Sequence, residues 1–68
     1  MQNTANVIPD NILAAIRNGA HDVHQIANVL GVYHVNPALR LTLNALADAG
    51  RITLTDVGVP AKRIDLVA

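Results

Sequence analysis

Cysteine, phenylalanine and tryptophan do not occur in this chain, nor do serine and glutamate, and Tyr33 is its one aromatic residue in 68. Each absence excludes something. Without cysteine there is no disulfide, no thiolate metal site and no thiol nucleophile. Without aromatics the core must be built from Leu, Ile, Val and Ala, which suits small helices in close approach and not a cavity for a large flat cofactor. With no Ser, Cys or Glu, and with Asp residues scattered or placed as helix caps, no nucleophile, base and orienting group can be assembled. Catalysis is therefore not expected, and no cofactor is called for. No apolar run approaches the roughly 20 residues that span a bilayer. The polar start Gln2-Asn3-Thr4 lacks the basic flank and apolar core of a secretory signal, so the chain reads as soluble and cytoplasmic.

What is present is a small apolar domain of nearly balanced charge. Hydrophobic residues make up 51% of the chain, and five basic groups offset five Asp to give a formal net charge of zero. Residues 1–68 are long enough for one domain, with residues 1–7 polar and expected to be flexible. A chain of this length buries only about 60% of its unfolded surface, so help from a partner, including a second copy, is expected. The charges are not spread evenly. Arg17 stands alone in the first half, whereas Arg40, Arg51, Lys62 and Arg63 lie in the second.

The order of elements follows from caps and periodicity. Pro9-Asp10 suits the first turn of a helix whose apolar face is Ile12, Leu13, Ala15 and Ile16, ended by Asn18-Gly19. Asp22 is placed to cap a second helix with Val23, Ile26, Ala27 and Leu30 at helical spacing, and Gly31 stops it. Asn36-Pro37 starts a third helix. Its apolar side is Leu39, Thr42, Leu43, Leu46 and Ala49, with Arg40, Leu41, Asn44 and Asp48 opposite and Gly50 at its end. Period-two alternation at residues 51–55 and 63–67 then predicts a hairpin. Ile52, Leu54, Ile64 and Leu66 face the helices, Thr53, Thr55, Arg63 and Asp65 face out, and Asp56 stands opposite Lys62 across a turn at residues 56–60. The predicted class is α+β, mainly α: three helices with a C-terminal β-hairpin, the sequence form of a helix-turn-helix carrying a wing.

The segment HQIANVLGVYHVNPALRLTLNALADAGRITL resembles the winged helix-turn-helix family of bacterial and phage transcriptional regulators. Ile26-Ala27, Leu30-Gly31-Val32, Leu43, Leu46, Gly50 and Ile52 occupy the positions of that family's IAxxLGV and LxxLxxxGxI patterns. With the first helix and the hairpin, the resemblance covers residues 8–67. It implies sequence-specific binding of duplex DNA, commonly as a dimer, with the third helix in the major groove and the wing on the phosphate backbone. Two features depart from the pattern: residues 32–36 make a turn about two residues longer than usual, and the third helix is poor in Arg, Lys, Ser and Gln.

The residues that suit this role are few. Arg40 and Asn44 lie one turn apart on the outer face of the third helix, and their side chains match guanine and adenine edges respectively. Tyr33, His34 and Asn36, in the turn before it, can donate to phosphate, as the helix N-terminus can. Arg51, Lys62 and Arg63 on or beside the hairpin are the phosphate-neutralising set, opposed by Asp56 and Asp65. His21, Asp22, His24 and His34 raise the question of a metal, but Asp22 is already assigned as a cap and three or four fixed ligands are wanted, so solvated histidines are the expectation. Leu41, and Val57, Val59 and Pro60 at the wing tip, fall outside the expected core and mark a possible homodimer or protein-partner surface. The competing reading is a winged-helix protein-interaction module that does not bind DNA.

Overall fold

The computed structural model describes residues 3–56 and 62–67. Three helices, α1 (Pro9–Arg17), α2 (Val23–Leu30) and α3 (Pro37–Asp48), precede an antiparallel hairpin of β1 (Ile52–Asp56) and β2 (Lys62–Leu66). The fold is α+β and mainly helical, as expected. The hairpin register pairs Ile52 with Leu66, Leu54 with Ile64, and Asp56 with Lys62. Residues 57–61, which include the wing-tip candidates Val57, Val59 and Pro60, lie outside the described set.

Local chemistry accounts for each boundary. Pro9 opens α1, where its missing N–H leaves no donor unpaired, and Asp10 sits in the positive first turn. The Asp22 carboxylate accepts from Gln25 N at 2.8 Å and starts α2. The Asn36 Oδ1 accepts from Ala38 N and Leu39 N and starts α3. The three helices end alike. Ala20 N donates to Ala15 O, Val32 N to Ala27 O and Arg51 N to Leu46 O, each immediately after a glycine of positive φ. This is the glycine-terminated close that turns the chain sharply.

The core forms where the apolar faces of the helices meet the inner face of the hairpin. Ile12, Ile26, Leu39 and Ile64, one from each helix and one from β2, are its most deeply buried large side chains. Both strands contribute, with Ile52 and Ile64 buried and Leu54 and Leu66 half-buried against the cluster. Close-packed aliphatic burial of this kind is the main favourable term for a chain lacking disulfides. α1 packs against α2, α3 and β2, and α3 packs against β1, so the helix bearing Arg40 is held by the body on one side only.

Two details go beyond the expected arrangement. In residues 3–7, Thr4–Asn6 form a 3₁₀ turn and Val7 is buried in the core. The cause is the end of α2, where orphan carbonyls need donors. Asn6 Nδ2 donates to Leu30 O at 3.0 Å and Asn3 N donates to Gly31 O at 3.0 Å. Ala49, assigned to the apolar side of α3, is instead its exposed C-cap. Asp65 pairs with Thr53 on the outer hairpin face, its carboxylate partly covered by His21 and Arg63.

Candidate nucleic-acid interface

The outward stripe of α3 is continuous. Pro37, Arg40, Leu41, Asn44, Ala45 and Asp48 are all exposed, and their spacing places them on one face of a helix. The opposite face, Leu39, Leu43 and Leu46, is fully committed to the core. This division is why α3 presents one exposed stripe, mixed polar and apolar, and cannot rotate to bury it. Among the described residues, the side chains of Arg40 and Asn44 make no hydrogen bond or ion pair. Leu41 is 70% exposed, the highest value among the large hydrophobic residues described.

The turn before α3 behaves differently. Asn36 is only 4% exposed. Its carbonyl oxygen caps α3, and its Nδ2 donates to Thr4 Oγ1 at 3.2 Å. Asn36 therefore leaves the phosphate-contact set: its amide is consumed inside the protein, where an unpaired group would be costly. His34 stacks on His24 of α2, with ring centroids 4.1 Å apart and planes 27° apart. Stacked imidazoles aim their nitrogens sideways and not at a common point. Tyr33 and Val35 are each 59% exposed, flanking His34.

The wing cations fall into three situations. The Arg51 side chain, at the start of the hairpin, is exposed and makes no ion pair among the described residues. Arg63 is exposed but its Nε donates to Asp65 Oδ2 at 3.0 Å. Lys62 is placed by its backbone alone, opposite Asp56 in the ladder.

Asp65 is also 3.2 Å from His21 Nδ1 through its other oxygen, and the same nitrogen lies 3.2 Å from Ile64 O. In the backbone, Ile64 N donates to His21 O at 2.7 Å. The hairpin is thus bridged to the α1–α2 connection, a tie that the composition and spacing of the sequence did not signal. Of the four residues raised for a metal, His21 goes to β2, Asp22 caps α2, and His24 and His34 stack on each other. Among the described residues no group of three metal-ligating side chains converges.

An open groove of about 510 Å³ lies between the 3₁₀ turn, α1 and α2, with Asn6, Asn11 and Asn18 along it and no residue of α3 in its lining. No helix among the described residues is long and apolar enough to cross a membrane. Comparison with known proteins finds no matching family model, no matching curated protein and no matching solved structure.

Proposed function

We propose that this chain is a small transcriptional regulator of the winged helix-turn-helix kind that binds duplex DNA in a sequence-specific way. The observation that carries the reading is the outer stripe of α3, where Arg40 and Asn44 stand one turn apart, exposed and uncommitted. Arginine can bridge guanine O6 and N7, and asparagine can bridge adenine N6 and N7, in the major groove. α3 would lie in that groove, with Arg51 and Lys62 on adjoining phosphates and Arg63 joining them when Asp65 releases it. Tyr33 and His34 stand at the N-terminal end of α3, where backbone phosphates approach a groove-bound helix. Pairing of two copies would match a two-fold site and add the affinity that one weakly charged module lacks. The reading places the protein in the cytoplasm, with its DNA.

The electrostatics bound the affinity. Two or three neutralised phosphates imply a loss of about 10- to 40-fold in affinity between 50 and 200 mM salt, a shallow response for a DNA-binding protein. Fluorescence anisotropy with labelled duplex across that range tests this directly. Arg40→Ala is expected to weaken binding about tenfold and to relax sequence preference at one position. A parent protein that leaves duplex unbound even at low salt would contradict the reading.

A second reading has its own support. Zero net charge, the Arg63–Asp65 pair and the exposure of Leu41 are what a winged-helix protein-interaction module would display. Docking through Leu41 would survive added salt, whereas phosphate contacts would not.

A further inference from the structure

We infer that Leu41 is a base-reading residue, one that recognises the 5-methyl group of a thymine in the major groove. The inference rests on the DNA-binding reading above and deepens it by naming what the middle of α3 selects. Leu41 sits in the outer stripe beside Arg40, three residues before Asn44 and four before Ala45. It lies in the same surface row as the two residues suited to base edges and is not at the margin of the helix.

The stripe itself says which part of α3 meets the bases. Its C-terminal end carries the exposed carboxylate of Asp48, which phosphates repel. Its N-terminal half carries Pro37, Arg40 and Leu41 and no acidic group. A helix rises about 1.5 Å per residue, so the four steps from Arg40 to Asn44 advance about 6 Å, a length close to two base-pair steps. A side chain between them falls within the same two or three base pairs. The single major-groove group that offers an apolar contact there is the thymine methyl. Ala45, small and exposed one turn further on, leaves room for the duplex to approach Leu41. The site selected by α3 therefore contains a guanine, a thymine and an adenine within about three consecutive base pairs.

Replacing thymine by deoxyuridine deletes the methyl and leaves every hydrogen-bonding group in place. A binding site would first be selected from a randomised duplex pool with the intact protein, and each thymine in it then replaced in turn. One replacement, adjacent to the required guanine, is expected to weaken binding about fourfold, the effect of unburying one methyl group. Leu41→Ala is expected to bind thymine and uracil duplexes equally, and its exposure means the fold tolerates the change, which circular dichroism would verify. Uniform indifference of the parent to deoxyuridine, in a duplex it binds, overturns the Leu41 assignment and leaves the DNA reading standing. Equal uracil sensitivity in parent and Leu41→Ala overturns it too, as does a variant whose sedimentation changes while its thymine preference persists, since Leu41 is then a protein contact. Failure of the parent to enrich or bind any duplex at low salt removes both the inference and the reading beneath it.

Discussion

The guanidinium Nε of Arg63 lies 3.0 Å from Asp65 Oδ2, while the other oxygen of the same carboxylate lies 3.2 Å from His21 Nδ1. One carboxylate thus holds a wing cation and also joins β2 to the residue before the α2 cap. In the DNA-bound state proposed here, Asp65 competes with phosphate for Arg63.

Asp65→Asn should for that reason bind duplex more tightly than the parent. The change removes one negative charge and frees one cation, so the plot of log affinity against log salt should steepen by roughly 0.9. Stability should fall by less than about 1 kcal/mol, because the Arg63 pair is partly solvent-exposed and asparagine can still accept from His21. Anisotropy titrations at several salt concentrations, with urea denaturation as the control, check both parts. An unchanged slope would mean that Arg63 does not reach the DNA.

The Asn36 amide joins the start of α3 to the leading 3₁₀ turn, capping α3 and donating to Thr4. Asn36→Ala should cost about 1–2 kcal/mol, as loss of a buried N-cap does. Asn36→Asp, which keeps the capping oxygen, should recover part of it. Thermal and urea unfolding measure the difference. The duplex affinity of the folded Asn36→Ala fraction should match the parent, because this side chain faces inward.

Among the described residues, sequence reasoning located the three α-helices and both strands, because each boundary is written in one or two residues, but not the 3₁₀ turn at Thr4–Asn6. Asp22, Asn36, Pro9 and Pro37 start helices, and Gly19, Gly31 and Gly50 end them. Alternation in the hairpin was equally readable, down to Asp56 opposite Lys62. What escaped was contact between distant segments. The polar run before Val7 carries no periodicity, yet it supplies donors to the carbonyls at the end of α2. The His21–Asp65 bridge spans residues far apart in the chain and has no local signal. Asn36 shows the limit at the candidate site: the same amide suits a cap or a phosphate, and only burial decides between them. For Arg40 and Asn44, helical spacing alone was sufficient to place both on the open face.

Gly31 makes the turn between α2 and α3 possible. Its φ is +76°, and an added Cβ would lie 2.8 Å from Asn3 Nδ2. Gly31→Ala should therefore lose about 1–2 kcal/mol from the left-handed backbone, with a further clash that the flexible Asn3 side chain can relieve by moving. Combining it with Asn3→Ala should return only the steric part. Equilibrium denaturation of the single and double variants separates the two. Full recovery in the double variant would show that backbone conformation is not the controlling factor.

The central claim is that the outer stripe of α3 is a duplex-DNA surface. An amide-detected NMR titration of the intact chain with mixed-sequence duplex, at about 50 and 200 mM salt, tests it most directly. The account predicts that shifts concentrate at Arg40, Leu41, Asn44 and Arg51, and that they weaken at the higher salt. Spectra unmoved by duplex at the lower salt, or shifts confined to the groove lined by Asn6, Asn11 and Asn18, to which α3 contributes no residue, would contradict it.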